Sequence, residues 1–280
     1  MLEFVYTGKS TTLTKAVTSR YPSLNYSHLR SLLRKKDVMV NGVRIKEDVE
    51  ILSGATIRLY TTIHTSADYD YRVGTVYEDD NIFIFNKPKG LEVEGDVSLI
   101  TYARKLCPTA EAVHRLDLNT DGLIIVAKGN SVAEILKEEI KNRRIEKHYV
   151  CAVYGHTGSA KRLEGYLKKD ATKGKVTVFD TRVDGAVKIV TEYKTIKNFE
   201  DYSILDVNLV TGRTHQIRAH LAHVGHPILG DGKYGTREIN SKFNFKKQAL
   251  TAYKLIFKTT GKLDYLNGRE FTIDSPLFDR

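Results

Sequence analysis

The sequence predicts an α+β protein built from two domains. Predicted strands outnumber predicted helices and do not alternate with them regularly, which argues against a doubly wound parallel sheet. A chain of 280 residues has the length of one large domain, or of one large and one small domain. The patterns below favour a small unit over residues 1–62, a linker over 63–74 and a large domain over 75–280.

The small unit is basic and of mixed structure. Short helices are predicted over residues 12–21 and 27–36, with Ser27 as N-cap of the second. Asn41-Gly42 between two β-branched runs predicts a hairpin, because both turn residues must accept a positive φ. The second helix should bury a leucine stripe and expose a basic face: Leu29, Leu32 and Leu33 form the stripe, and Arg30, Arg34, Lys35 and Lys36 form the face.

The large domain should consist mainly of strands. It follows a segment without periodicity, and its first two strands are joined by an acidic turn. The expected elements are two strands within residues 76–88, strands at 123–127 and 149–153, a helix capped by Asn130 or Ser131 that extends to about Arg144, and a helix over 215–224 closed by Gly225 and Pro227.

Composition excludes several classes of protein. With 41% hydrophobic and 28% charged residues, the chain has globular rather than disordered composition. Its longest plainly apolar run, residues 123–127, is far shorter than the about 20 residues that cross a bilayer. The first residues lack the pattern of a cleaved secretory signal. Only Cys107 and Cys151 occur, which excludes a disulfide framework and a multi-cysteine zinc site, so a cytoplasmic location is expected.

The charge balance favours an anionic partner. Lys and Arg number 44 against 34 Asp and Glu, a net charge of +10. Residues 20–46 alone carry seven basic residues and one acidic residue, Asp37. A basic surface suits a polyanion such as nucleic acid, although charge alone indicates non-specific attraction and not a site.

A first chemically promising segment runs from His114-Arg115-Leu116-Asp117 to Gly122. It leads directly into the predicted buried strand, so an acid, base or nucleophile there would be held rigidly. The same residue types also fit a turn in which Asp117 and Asn119 bond to the backbone, and residue types alone favour that alternative.

A second segment spans residues 211–227. A helix from His215 would bury Ile217, Leu221 and Val224, and Arg218 lies one position off this stripe, where it can reach a partner at the edge of the interior. Arg213 and the N–H groups at the helix start suit a phosphate. The segment also contains four histidines, His215, His220, His223 and His226. Structural or RNA-facing roles are favoured for them over a zinc site, because the spacing typical of zinc ligands and a nearby carboxylate are both missing.

A third segment, residues 143–155, places Tyr149 at a strand start after a basic turn. There it could offer its ring face to a nucleic-acid base. Taken alone, a tyrosine at the edge of the core is the more common situation in a chain with 16 Tyr.

Together these segments resemble the RluA-type RNA pseudouridine synthases over about residues 75–280. Residues 12–59 also resemble the small RNA-binding domain named after ribosomal protein S-four, through the basic helix and the Val-Asn-Gly hairpin. The matching places, in order, are Asn86-Lys87-Pro88-Lys89-Gly90, His114-Arg115-Leu116-Asp117 with Thr120, Gly122 and Val126-Ala127-Lys128, then Glu146-Lys147-His148-Tyr149, and residues 211–220 followed by 225–231.

The resemblance implies a mixed, largely antiparallel sheet with helices and loops around a central cleft. It also implies that a uridine in RNA is detached from its sugar, turned, and rejoined through carbon, without cofactor or metal. Asp117 would be the essential carboxylate, attacking the anomeric carbon or removing a proton from the neighbouring sugar carbon. Arg218 would offset the burial of this charge, and Tyr149 would stack on the target base and exclude water.

The resemblance also implies how RNA is held. Arg115 would fill the place that the flipped base vacates, with His114 beside it. Arg213, His215 and the basic helix at Arg30, Arg34, Lys35 and Lys36 would hold phosphates. The S-four-type domain favours ribosomal RNA over transfer RNA, and the protein is expected to act as a monomer.

Three departures from the family pattern bear on substrate choice more than on activity. Asp121 stands where Ser or a similar small residue is usual, Thr251 stands where His is usual, and Leu118-Asn119 replaces a commoner charged pair. Two other functions are weighed: a non-catalytic RNA-binding or ribosome-assembly factor, and a carboxylate-dependent hydrolase. The second usually needs two carboxylates, and no motif pairs a second acid with Asp117.

Overall fold

The structure, a computed structural model, describes residues 1–21, 24, 26–61, 73–170, 174–243, 245 and 247–279. These residues fall into two compact units. The first unit holds the described part of residues 1–61 together with Glu94–Thr101, and the second unit holds residues 73–93 and 102–279. The predicted linker lies outside the described residues up to 72, and Gly74 already begins a strand.

The first unit packs two helices against a four-stranded antiparallel sheet, whose strands lie in the order Leu2–Val5, Thr56–Leu59, Val38–Val40 and Val43–Ile45. Its core includes the predicted stripe of Leu29, Leu32 and Leu33, all buried. The hairpin is confirmed, since Asn41 and Gly42 have φ of 49° and 82°. The elements are β1 (Leu2–Val5), β2 (Thr11–Thr12), α1 (Leu13–Arg20), α2 (Tyr26–Lys35), β3 (Val38–Val40), β4 (Val43–Ile45), β5 (Glu50–Ile51) and β6 (Thr56–Leu59).

Both predicted helices of this unit are present, but one cap differs from expectation. Thr12 caps α1, where its hydroxyl accepts a hydrogen bond from the Lys15 N–H at 3.3 Å. Helix α2 begins at Tyr26, so Ser27 lies inside the helix and is not its N-cap.

The second unit is built on an eleven-stranded, largely antiparallel sheet. Its strands follow the order β13-β12-β14-β15-β11-β16-β10-β8-β7, with β17 paired to β16 and β9 paired to β10. The elements from residue 73 onward are β7 (Gly74–Glu78), β8 (Ile82–Lys87), α3 (Leu99–Leu106), β9 (Glu111–Ala112), β10 (Asp121–Ala127), α4 (Asn130–Lys141), β11 (Ile145–Tyr154), β12 (Ala160–Asp170), β13 (Lys175–Phe179), β14 (Val187–Asn198), β15 (Tyr202–Asn208), α5 (Gln216–His223), α6 (Arg237–Phe243), β16 (Leu250–Phe257), a 3-10 helix (Gly261–Leu266) and β17 (Glu270–Thr272).

Strand β10 is the centre of this unit, as its apolar run predicts. Residues 123–127 are all buried, and Leu123, Ile125 and Ala127 pack with residues of β8, α4 and the 3-10 helix in one core cluster. At its start β10 pairs in parallel with β16, which sets Gly122 against Ala252. Gly122 has φ of 113°, and a Cβ there would lie 2.1 Å from the Ala252 carbonyl oxygen. Only glycine therefore fits where the loop that carries Asp117 enters the sheet.

The helix boundaries of the second unit correct two expectations. Gly129, with φ of 140°, is the N-cap of α4, so Asn130 already lies in the helix, and the helix ends at Lys141 rather than at Arg144. Helix α5 matches its prediction closely, although Val224 is only half-buried. No helix in the described part of the chain has the length and apolar character needed to span a membrane.

Candidate active site

Asp117 lies in a loop that backbone hydrogen bonds hold on both sides. The Thr120 N–H donates to the Asp117 carbonyl at 3.0 Å, and the Gly90 N–H donates to the Leu118 carbonyl at 2.7 Å. The Asp117 side chain is 15% exposed. A carboxylate at this position is thus held by the β10 end of the sheet while one edge stays open to a ligand.

His114 anchors the same loop. Its Nε2 accepts a hydrogen bond from the Ile125 N–H at 2.9 Å, and burial lowers its pKa to about 3. The imidazole is therefore neutral at pH 7, and the fold already uses one of its two nitrogens. The predicted role of His114 in substrate binding can involve only the other nitrogen.

Arg218 joins Asp117 to a second carboxylate. Its Nη1 donates to Asp117 Oδ2 at 2.7 Å, and its Nε and Nη2 donate to the two oxygens of Asp231 at 2.7 and 2.9 Å. Asp231 is fully buried, and it also accepts the backbone N–H groups of Lys233 and Tyr234. The sequence led us to expect the Arg218–Asp117 contact, but it gave no role to Asp231.

The charges of this array support one another. Burial alone would lower the pKa of Arg218, but the hydrogen bonds and charges of Asp231 and Asp117 outweigh it and raise the pKa. Burial alone would raise the pKa of Asp231, and Arg218 holds it below its usual range. The cation is therefore fixed in place by one carboxylate and offers its remaining edge to the other.

Tyr234 and His215 complete the surroundings of Arg218. The Tyr234 ring lies 5.2 Å from the guanidinium carbon, and its hydroxyl is 2.8 Å from His215 Nδ1. That oxygen already accepts the Val176 N–H at 3.0 Å, so we assign its hydrogen to His215 Nδ1. Burial lowers the pKa of His215 to about 4, so the ring is neutral and carries its proton on Nε2, 4.0 Å from Asp117 Oδ1.

Asp117 lines a small pocket. Among the described residues, no hydrogen bond reaches Asp117 Oδ1. The pocket has a volume of about 50 Å³, which is room for one or two waters and not for a nucleobase. A nucleotide at Asp117 would therefore extend into a larger space of about 720 Å³ that Asp117 and Tyr149 also line. The lining residues of the small pocket are Arg115, Leu116, Asp117, Thr120, Tyr149, Leu209, Arg213, His215, Gln216, Ile217, Arg218 and Leu250.

Tyr149 reaches this pocket from strand β11. The strand has an irregularity in its pairing with β16 between His148 and Tyr149. The Tyr149 side chain is buried, and burial raises the pKa of its phenol, which keeps the group neutral. Tyr149 is thus a pocket residue, although its burial also fits the core-edge alternative.

Arg115 and Arg213 are exposed residues of the pocket lining. Ahead of α5, the Arg213 N–H donates to Gln216 Oε1 at 3.1 Å and the Gln216 N–H donates to the Arg213 carbonyl at 3.0 Å, so these two N–H groups are bonded within the fold. The four cations of the basic helix belong to the first unit. Arg30, Arg34 and Lys35 lie on α2 and Lys36 directly follows it, all exposed.

The histidines of the second segment do not converge on one point. His220 contacts Thr191 Oγ1 at 3.0 Å, and His226 contacts the Tyr154 carbonyl at 3.0 Å. The sequence showed no carboxylate near them, but the fold brings Asp180 to within 2.9 Å of His223 and Asp117 to within 4.0 Å of His215. Within the described ranges, no three His, Cys, Asp or Glu side chains form a metal-site cluster.

The departures Asp121 and Thr251 contact each other. The Thr251 hydroxyl donates to Asp121 Oδ1 at 2.9 Å, where the parallel pair β10 and β16 sets the two residues opposite. Lys89 Nζ lies 3.5 Å from the same oxygen. The two unusual residues thus form one local arrangement, which the sequence could not show because 130 positions separate them.

Comparisons with known proteins show which class of enzyme has this fold. Residues 81–223 match the RNA pseudouridylate synthase family. Ribosomal large subunit pseudouridine synthase D of Escherichia coli is 31% identical over 268 residues, which cover 87% of this chain and 81% of that protein. Synthase C of Yersinia pestis is also 31% identical, with 90% and 83% covered.

A solved structure shares the fold. The human protein RNA pseudouridylate synthase domain containing 1 superimposes with a TM-score of 0.62 at 23% identity, covering 73% of this chain and 84% of that chain. The α+β prediction with a largely antiparallel sheet is confirmed. The chain belongs to the RNA pseudouridylate synthases, in their RluA-type branch. It is therefore an isomerase, and the resemblance in the sequence is confirmed for the second unit.

Proposed function

We propose that this chain converts uridine to pseudouridine in ribosomal RNA, with Asp117 as the reacting carboxylate and with no cofactor. The observation that carries the proposal is the unequal use of the two Asp117 oxygens. Arg218 holds Oδ2, whereas no described residue hydrogen-bonds to Oδ1, and Asp117 lines the pocket together with Tyr149. The names of the bacterial relatives, which refer to the large ribosomal subunit, support ribosomal RNA as the substrate class.

The reaction rearranges one nucleotide and neither adds nor removes a group. The bond from N1 of uracil to C1′ of ribose breaks, the base turns, and C5 bonds to C1′. The C5 proton is lost and N1 gains a proton, so atoms and electrons balance. Asp117 Oδ1 either attacks C1′ or removes the neighbouring C2′ proton, and in both routes Arg218 would hold the carboxylate in place through Oδ2.

The surrounding residues bind and shield the base. The target nucleotide must leave its stack to reach Asp117, and Arg115 would take the vacated place in the RNA. Tyr149 would stack on the base and exclude water, since water attack at C1′ would release the base. His215 presents an N–H toward Asp117 Oδ1, where it would orient the oxygen, and Arg213 would hold a phosphate.

The hydrolase alternative finds no suitable second acid here. Asp231 lies close to Asp117, but it is fully buried and both its oxygens are bound to Arg218. It cannot reach a water molecule as a general base would. The array thus favours rearrangement within one bound nucleotide.

We further propose that the first unit is an S-four-type domain that binds ribosomal RNA, and that the protein acts as a monomer. The four cations of helix α2 and the following turn would contact phosphates. Such contacts fix position on a structured RNA without reading its sequence. The exposed side chains of Arg34, Lys35 and Lys36 are free to point at a large polyanion.

Base-resolution mapping of pseudouridine in total RNA tests this function. RNA from cells that lack the protein, and from cells that carry only Asp117→Asn, is compared with RNA from unmodified cells. We expect one or a few ribosomal sites to lose pseudouridine in both. Loss at transfer RNA sites alone would overturn the ribosomal assignment. No lost site with the protein still bound to RNA would favour the non-catalytic binding factor.

A further inference from the structure

A basic groove adjoins the pocket on the second unit. The groove has a volume of about 720 Å³, and its lining includes Asp117 and Tyr149, which also line the pocket. Asp117 is the only acidic residue of its lining among the described residues. The basic residues of the lining that the site description leaves without a role are Lys137, Lys141, Arg143, Lys147 and Lys188.

Three of these five cations are already paired. Lys137 contacts Glu134 at 2.8 Å, Lys141 contacts Glu138 at 3.0 Å, and Lys188 contacts Glu164 at 2.7 Å. These pairs are exposed and would be weak in salt, but they reduce the charge that a ligand feels. The argument therefore rests on the two remaining cations, Arg143 and Lys147.

Lys147 is a buried lysine without a carboxylate partner. Its side chain on β11 is 8% exposed, two residues before Tyr149. In the part of the chain that the structure describes, its ammonium has one hydrogen bond, a long one of 3.4 Å to the Ile145 carbonyl. An ammonium carries three N–H donors, so at least one donor has no protein acceptor. Burial lowers the pKa of Lys147 to about 8, with no opposing charge to offset it.

Lys87 shows what a structural buried lysine looks like in the same protein. It is fully buried, and burial likewise lowers its pKa to about 8. Its ammonium, however, donates to the Pro88 and Leu91 carbonyls at 3.0 and 2.8 Å. Lys87 thus has short hydrogen bonds within the fold, whereas Lys147 keeps donors for a ligand in the groove.

Arg143 occupies the turn between α4 and β11. It is exposed, and its φ of 60° is a conformation that glycine adopts more easily than arginine. Among the described residues its guanidinium has no ion pair or side-chain hydrogen bond. The turn therefore holds an unpaired guanidinium at the groove, although its backbone alone would favour glycine.

We propose that Lys147 and Arg143 bind a phosphate of the substrate RNA, in the strand segment adjoining the nucleotide that enters the pocket at Asp117. A phosphodiester is the group in RNA that offers acceptor oxygens and a negative charge together. This inference rests on the proposed function, because it takes RNA as the ligand. The inference also predicts where the RNA backbone runs: from the pocket along β11 toward the end of α4.

The test measures binding of a short RNA hairpin with a uridine-rich loop by fluorescence anisotropy at several salt concentrations. Each phosphate contact that is lost should reduce the slope of log K against log salt by about 1. We expect this reduction for Lys147→Met and for Arg143→Gly, and recovery for Lys147→Arg. The matched control is Lys262→Met, which removes the same charge from an exposed lysine outside the groove and should leave the slope unchanged.

A second arm locates the phosphate. Phosphates of the hairpin are replaced one at a time by neutral methylphosphonates. At one position the replacement should weaken binding to the unmodified protein and have no further effect on Lys147→Met, which is the signature of a direct contact. Additive losses at every position would overturn the assignment. Inorganic phosphate could instead compete with RNA for the unmodified protein and not for Lys147→Met, while the salt slopes of RNA binding stay unchanged. That result would also overturn the assignment, in favour of a site for free anions.

The two readouts separate this inference from the proposed function. RNA binding with the expected slopes but without pseudouridine formation would refute the function and leave the groove assignment standing. Pseudouridine formation with unchanged slopes in both variants would refute the groove assignment alone. Arg143→Gly relieves its backbone and should fold normally, so it decides the question even if Lys147→Met does not fold.

Discussion

Replacing Arg218 by methionine should affect stability and activity through one physical cause. The guanidinium donates to Asp117 and, through two hydrogen bonds, to Asp231. Methionine keeps much of the volume and removes the charge. Two carboxylates then face each other at a buried position without their shared cation, one fully buried and the other 15% exposed.

The expected loss is large. Removing one partner of a buried ion pair lowers the free energy of unfolding by about 3–5 kcal/mol, because the other charge is left unpaired. For a domain of this size each kcal/mol shifts Tm by roughly 2–4 °C. The second change Asp231→Asn removes the fully buried charge, so the double variant should regain much of this stability. It should not regain activity, since Asp117 still lacks its cation.

The pH dependence of the stability gives a second, independent test of this reasoning. In the native protein Arg218 holds the pKa of Asp231 low, so this group stabilises the fold above its unfolded pKa and the contribution is lost as pH falls through the folded value. Without Arg218 the burial of Asp231 raises its pKa above the unfolded value. The variant should therefore gain stability relative to the native protein as pH is lowered from 7 toward 5.

Urea unfolding followed by circular dichroism measures the stability, and release of tritium from C5 of labelled uridine measures the activity. The control is Arg162→Met, an exposed arginine that also pairs with two carboxylates, Glu164 and Glu192. It should change neither readout measurably, because exposed pairs contribute little. Full activity of Arg218→Met with an unchanged urea midpoint would refute the reasoning.

Two further predictions concern a buried histidine and the basic helix. His220 is buried, and burial lowers its pKa to about 4. The neutral ring therefore contributes to the free energy of unfolding above about pH 6.5, and this contribution is lost as the pH falls to about 4. Over this pH range, His220→Gln should reduce the change in the free energy of unfolding, measured with urea, by about 3 kcal/mol. Parallel stability curves for the variant and the native protein would contradict this. Replacing Arg34, Lys35 and Lys36 by glutamine should reduce the salt slope of ribosomal RNA binding by up to about 3. An unchanged slope would show that these residues contact no phosphate.

Local signals in the sequence predicted much of the fold. The Asn41-Gly42 turn and the apolar run at 123–127 each act within a few residues, so a single stretch specifies them. Caps were less predictable. The helix after β10 could start from Asn130 or Ser131 by residue type, but Gly129 takes the cap because the backbone there needs a φ of 140°.

The contacts of the site were predictable only in part. Arg218 lies off the apolar stripe of its helix, and this placement alone predicts a partner at the interior edge. Asp231 has no such pattern, because its role depends on a turn that brings it against Arg218. The contact between Asp121 and Thr251 depends on the parallel pairing of β10 with β16. Pairing between strands so far apart leaves no periodic signal in either one.

The most direct test of the account is single-turnover tritium release by purified Asp117→Asn, measured beside Asp121→Asn on the same ribosomal RNA. Asparagine keeps the shape of Asp117 and removes the charge that Arg218 holds. The account predicts no release with Asp117→Asn at near-native RNA affinity, and release within a few-fold of native with Asp121→Asn. Native-like release by Asp117→Asn would contradict the account, because no other carboxylate described here opens to the pocket.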